Sequence, residues 1–140
     1  MLRAVLDTNV WISAALSSKG APAELAQRLL SQGKPVFSPP TYAELETRLW
    51  RPKFDRQLSM ERRTRILRDL YSASLWVDIA PGPQQTYSRD ADDDKFIHTA
   101  LAAGAQWLVT GDQDLLLVPP IAGLSIITPA AALQLLLPNH

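Results

Sequence analysis

The side chains in this chain with capacity for hydrolytic chemistry are carboxylates at four places: Asp7; Glu44; Asp90, Asp92, Asp93 and Asp94; and Asp112 with Asp114. Asp7 ends an apolar run, Leu2-Arg3-Ala4-Val5-Leu6, that reads as a buried strand. A carboxylate has no use there unless it sits where the strand emerges, the edge at which open parallel sheets bind ligands. Each acid also has a plainer structural use. Glu44 stands three residues after Thr41, a capping-box spacing. The Asp90 to Asp94 run complements a helix dipole, Asp112 and Asp114 suit a turn, and Asp7 suits a helix cap. Taken together these uses are less satisfying, because converging carboxylates repel unless a cation lies between them. With no cysteine and only His98 and His140 as histidines, zinc–thiolate, cysteine-nucleophile and His-rich sites are excluded. An acid cluster of this kind selects a hard divalent ion, Mg²⁺ or Mn²⁺. Such an ion activates water and offsets charge on a phosphate, with no nucleophilic side chain required.

The elements that would position these acids alternate. After the first strand a helix runs from Val10 to about Ser17, with Asn9 as its cap, and Ser17 to Gly20 is a break. Pro22 opens a helix that ends near Gly33, with Leu25, Leu29 and Leu30 at helical spacing. Pro35 to Ser38 reads as the second strand, and Thr41 caps a helix from Tyr42 to about Trp50. A helix from Ser59 to about Ser72 follows, with Ile66, Leu67, Leu70 and Tyr71 as its buried stripe. Trp76 to Ile79 is the third strand and Pro81-Gly82-Pro83 a turn. Asp90 to Gly104 is a helix with Phe96, Ile97, Ala100, Leu101 and Ala103 on its core face. Trp107 to Thr110 is the fourth strand, Asp112 to Leu116 a tight acidic turn, Leu124 to Ile127 the fifth strand, and Pro129 to Pro138 a last helix. Strands alternating with helices predict a three-layer α/β/α fold on a mostly parallel five-stranded sheet. The length of 140 residues fits a single domain spanning 1–140.

Composition narrows the setting. Hydrophobic residues make up 46% of the chain and the net charge is zero, a globular composition without the basic excess of a general nucleic-acid binder. Charge is unevenly placed, however. Arg48, Arg51, Lys53, Arg56, Arg62, Arg63, Arg65 and Arg68 stand against only Asp55 and Glu61, and no Lys or Arg follows Lys95. This is either a solvated helix face or one side prepared for an anionic partner. Arg48, Arg51, Arg62 and Arg65 are the residues expected to meet a nucleic-acid backbone. Trp11 and Trp50 suit either packing or base stacking. His98 reads as an incidental helix residue. The apolar Leu133, Leu135, Leu136 and Leu137 exceed one core stripe and suit a homodimer or partner surface as well as the sheet. No apolar run reaches the ~18 residues of a membrane span, and the N-terminus enters a strand at once, so a cytoplasmic location without membrane contact is expected.

Four stretches carry a family likeness: Val5-Leu6-Asp7-Thr8-Asn9-Val10-Trp11-Ile12-Ser13, Tyr42-Ala43-Glu44-Leu45, Arg89 to Ile97, and Val109-Thr110-Gly111-Asp112-Gln113-Asp114-Leu115-Leu116. In this order, and with Ile126-Ile127-Thr128-Pro129 after them, they resemble the PIN domain nucleases. The resemblance is nearest to the VapC-like branch, labelled as toxins of toxin–antitoxin systems, and runs from Leu2 to about Leu136. It implies that Asp7, Glu44, Asp93 and Asp112 hold one or two Mg²⁺ or Mn²⁺ ions. Asp114 is an added ligand, and Asn9, Thr110 and Asp90 support the pocket. Asp93 is preferred in its run because the family acid precedes a small sheet-packing helix residue by seven positions, here Ala100. The implied activity is endoribonuclease cleavage of single-stranded or structured RNA by a metal-activated water, leaving a 5′-phosphate and a 3′-hydroxyl. The implied protein partner is an antitoxin.

Two rivals remain. A haloacid-dehalogenase-like phosphotransferase also begins with a strand ending in an acid, but it needs a second Asp where Asn9 stands. A non-catalytic RNA- or partner-binding module on the same fold would be favoured by a missing acid, and none is missing.

Overall fold

The computed structural model describes residues 1–81 and 84–136. Its centre is a five-stranded sheet of β1 (Leu2–Leu6), β2 (Gly33–Phe37), β3 (Leu75–Trp76), β4 (Trp107–Val109) and β5 (Ser125–Ile127). The order is β3-β2-β1-β4-β5, and every pairing is parallel. Parallel neighbours need crossovers. Most of the connecting helices are α1 (Thr8–Leu16), α2 (Ala21–Gln32), α3 (Pro39–Leu49), α4 (Met60–Ala73) and α5 (Asp94–Ala103), while the connection from β4 to β5 carries only the short helix that follows β4. The short α6 (Gln113–Leu116) and α7 (Pro129–Leu136) complete the described chain.

Alternation along β1 divides the core into two layers, since successive strand side chains face opposite ways. Ala4 and Leu6 pack with Trp11, Leu25, Leu29, Leu45 and Leu67 on the side of α1 to α4 and α7. Val5 packs with Val36, Phe96, Ile97, Ala100 and Leu108 on the α5 side. Trp11 is spent on packing: it stacks on Phe37 at 5.8 Å between ring centroids. Tyr42 meets Phe37 edge-on at 5.5 Å. At Gly33 space is the constraint. A Cβ there would lie 2.4 Å from the Leu2 carbonyl oxygen, so β1 and β2 begin their pairing at a residue with no side chain. Gly104 ends α5 with φ of 60°, the left-handed helix stop that favours glycine.

Several boundaries and faces depart from the sequence expectation. Asp7, not Asn9, caps α1, because the strand ends one residue before the helix begins. Ser38, not Thr41, caps α3: the two prolines occupy the first helical turn, where no backbone donor is lost. β3 holds two residues where four were expected, although Val77 N–H still reaches the Phe37 carbonyl at 2.9 Å. A single-turn 3₁₀ segment, Ala91–Asp93, precedes α5. The acidic turn from Asp112 is the helix α6. Tyr71 and Leu101 are exposed, and α4 buries Arg63 with Leu67 and Leu70 instead. Leu135 is exposed on α7. Gly82, Pro83, Leu137 and Pro138 lie outside the described residues.

Candidate active site

The register of the sheet assembles the first half of the site. Leu6 pairs with Val109, so Asp7 and Thr110 are the next residues on neighbouring strands. Asp7 N–H donates to the Val109 carbonyl at 3.0 Å, and Thr110 N–H to that of Ile127 at 2.9 Å, extending the ladder past the strand ends. Both side chains are buried. Thr110 Oγ1 donates to Asp7 Oδ2 and accepts from Asp112 N–H at 2.9 Å. Asp7 Oδ1 accepts from Val10 N–H at 2.9 Å. One hydroxyl thus ties the first acid to the backbone that carries the last. Burial holds the Asp7 carboxyl above its usual range. The bonds from Thr110 and Val10 oppose the shift, and the charges of Asp112 and Glu44 add to it.

Glu44 enters from α3. A buried hydroxyl cluster sets this helix against α5: Ser38 Oγ and Thr99 Oγ1 lie 2.7 Å apart, and Ser38 N–H donates to Thr41 Oγ1 at 3.0 Å. With Thr41 so engaged, Glu44 is released from any capping role. Its Oε2 accepts from Thr8 Oγ1. Its Oε1 accepts from Arg48 Nη2 and Lys95 Nζ, each at 3.1 Å. Arg48 also donates to Asn9 Oδ1 at 3.3 Å.

The four acids before and within the start of α5 separate by role. Asp90 caps the 3₁₀ turn, its Oδ1 accepting from Asp92 N–H at 3.0 Å. Asp92 is exposed and pairs with Lys95 at 3.3 Å. Asp94 is buried and accepts from Tyr87 N–H at 3.1 Å and Ser88 N–H at 2.7 Å, which secures the incoming segment. Asp93 alone of the four lines the cleft. Its carboxyl is pushed up to about 7. Burial is the main cause, followed by the hydrogen bond it shares with Asp112 and by the charges of Asp112, Asp90 and Glu44.

Asp7, Glu44, Asp93 and Asp112 therefore share one cleft with Thr8, Asn9, Arg48 and Phe96. Its volume of about 20 Å³ suits one water-sized occupant. Asp114 and Asp90 do not line it. Asp114 supports it instead, donating its N–H to Asp112 Oδ1 at 2.9 Å. Among the described residues no group of three or more His, Cys, Asp or Glu is arranged as it stands to hold a metal ion. The donor set fits a hard divalent ion nonetheless: all oxygen, and carrying more negative charge than its two cations offset.

The basic residues divide. Arg48 borders the cleft. Arg51 is exposed beyond α3. Arg65 lines a separate groove with Trp50, Met60 and Arg68. Arg62 faces the other way, beside Trp11, Ala14 and Leu70, reaching the Ala15 carbonyl at 3.5 Å. Arg63 is buried over the Trp50 ring, 5.3 Å from its centroid. His98 contacts the Gln85 carbonyl at 2.7 Å, away from the acids. Thr8, Lys95 and Phe96 were not singled out from sequence. The signal for Lys95 was its place inside the Asp92-Asp93-Asp94-Lys95 run, and for Thr8 its place after Asp7.

Among the described residues no helix is long and apolar enough to cross a membrane. Known proteins match this chain at three levels. An uncharacterized protein of Methanocaldococcus jannaschii is 33% identical over 117 residues, covering 82% of this chain and 74% of that protein. Two solved structures share the fold. VapBC2 from Rickettsia felis, bound to a DNA fragment from its promoter, aligns with a TM-score of 0.60 at 16% identity, over 91% of this chain and 98% of that one. VapC20 from Mycobacterium tuberculosis, a toxin that cleaves the sarcin–ricin loop, aligns at 0.51 and 13% identity, over 84% and 98%. The family model described as PIN domain matches residues 3–114, a span that takes in all four cleft acids, and the chain belongs to the PIN domain family of nucleases.

Proposed function

We propose that this chain is a Mg²⁺- or Mn²⁺-dependent endoribonuclease and the toxin of a toxin–antitoxin pair. The observation that carries this reading is the meeting of Asp7, Glu44, Asp93 and Asp112, from four separate elements, in one cleft at the carboxyl edge of a parallel sheet. When bound, the divalent ion would supply an activated water and charge relief at the scissile phosphate. The chain's own residues do the rest. Thr110 fixes the Asp7 carboxylate, Asp114 steadies Asp112, and Asp94 holds the segment that brings in Asp93. Arg48, Arg51 and Arg65 offer phosphate contacts that give affinity without sequence choice.

The fold likeness to VapBC2 and VapC20 supports the toxin role, and exposed Leu30 and Leu135 supply apolar surface for an antitoxin or a second copy of the chain. One observation favours a second reading, a non-catalytic RNA- or partner-binding module: both oxygens of Glu44 are already engaged by the chain's own donors.

The test is direct. Purified protein is incubated with single-stranded RNA and Mn²⁺ or Mg²⁺, beside Asp7→Asn and Asp93→Asn. Cleavage by the wild type to 5′-phosphate and 3′-hydroxyl ends, lost in both variants and on chelation, supports the nuclease. Cleavage at an undiminished rate in the variants would sink the site. RNA binding with neither cleavage nor metal uptake would establish the second reading.

A further inference from the structure

Lys95 spans from α5 to α3. Its ammonium lies 3.1 Å from Glu44 Oε1, 3.3 Å from Asp92 Oδ1 and 5.5 Å from the centroid of the Phe96 ring. The side chains of Lys95 and Glu44 are only 17% and 13% exposed. Arg48 meets the same Glu44 oxygen. Thr8 takes the other. Three of the roughly four acceptor positions of this carboxylate are therefore filled by the chain itself. Asp7, Asp93 and Asp112 carry no such cation among the described ion pairs. With all four cleft carboxylates ionised, as a bound cation would hold them, Arg48 and Lys95 leave at least two negative charges uncompensated, the charge of one divalent ion, and Lys95 is further shared with Asp92.

Resting on the nuclease reading above, we propose that Lys95 is a positioning residue that makes this a one-ion site. It holds Glu44 together with Arg48, occupies the charge position of a second ion, and leaves Asp7, Asp93 and Asp112 to take the single one. A divalent ion on the Glu44 side would have to displace two cations or sit against them. At ~6 Å, even in bulk water, repulsion between a unit and a divalent charge amounts to about tenfold in affinity.

The test counts Mn²⁺ by calorimetry and by its electron paramagnetic resonance signal, with no RNA present. The wild type is expected to bind one Mn²⁺ per chain. Lys95→Met, which keeps an unbranched stem and removes the charge, is expected to bind a second, and Lys95→Arg to return to one. Circular dichroism checks that each variant is folded. Glu44→Gln provides an arm independent of Lys95: it should still bind one ion, whereas Asp93→Asn should lose it. Two ions on the wild type, one ion on a folded Lys95→Met, or loss of the ion in Glu44→Gln would each overturn the inference while leaving a metal nuclease intact. No Mn²⁺ on the wild type would overturn the inference and the nuclease reading together.

Discussion

Replacing Thr110 by Val keeps the shape of a fully buried side chain and deletes one hydroxyl. That hydroxyl donates to Asp7 Oδ2 and accepts from Asp112 N–H. A hydrogen bond to a charged acceptor contributes about 1.5–3 kcal/mol, and a donor left without a partner costs about 1–3 kcal/mol. Asp112 is partly exposed, so water satisfies some of its lost bond and the lower end applies there. The added methyl returns about 0.8 kcal/mol through burial. The net expectation is a destabilisation of about 2–3 kcal/mol. Urea denaturation at neutral pH without divalent ion measures it. At a slope of about 2 kcal/mol/M the midpoint should fall by roughly 1 M with the slope unchanged. Thr110→Ser, which keeps the hydroxyl, should retain most of the stability. Combining Thr110→Val with Asp7→Asn isolates the pair, and a coupling of at least about 1 kcal/mol is expected. A Thr110→Val midpoint within error of the wild type, together with no coupling to Asp7, would refute the claim that this hydroxyl organises the site.

Three further outcomes are expected. Folding raises the Asp93 carboxyl to about 7 from its ordinary 3.8. Its stabilising contribution is therefore complete below about pH 4 and is lost as pH climbs through 7. Asp93→Asn should match the wild type near pH 4, gain on it progressively toward pH 8 in chelator, and lose that advantage when Mn²⁺ is added; thermal melts across this range would show no such trend if the acid were ordinary. Asp94→Asn keeps one acceptor oxygen and turns an amide NH2 toward the other of the Tyr87 and Ser88 N–H donors. It should cost about 1–3 kcal/mol and speed amide exchange at one or both of those residues, and unchanged exchange at both would count against the anchoring role. Removing Arg48, Arg51 or Arg65 should each reduce the salt dependence of single-stranded RNA binding by about 0.7 in log–log slope. Arg62→Ala should leave it unaltered, because that side chain faces the Trp11 groove; equal effects from all four would show that the basic face is undivided.

Short-range physics made much of this protein legible in its residues. The apolar run before Asp7, the helix period around Leu25 and Leu29, and the fifth strand at Ile126 gave the alternating elements and hence a parallel sheet with both faces covered. The acid types, with no cysteine and few histidines, pointed to the class of ion that the proposed site would take. The family resemblance, through its spacing to Ala100, implied Asp93. Local rules were weakest where two neighbours compete for one task. Asp7 displaced Asn9 as a cap, and Ser38 displaced Thr41, because a cap is decided by where the strand leaves the sheet.

What only the tertiary structure decided is which side chains meet across long separations. The pairing of Leu6 with Val109 brings Asp7 beside Thr110, although 103 residues separate them. The packing of α3 on α5 brings Lys95 to Glu44 across 51 residues. The packing of α4 likewise decides which of Arg62, Arg63 and Arg65 is buried and which groove each of the others lines. No local preference encodes such distances. They follow from strand register and helix packing, which are settled by burying the whole core at once. Residue types and order therefore pointed to carboxylate chemistry, while the cations beside Glu44 became visible only once the chain was folded.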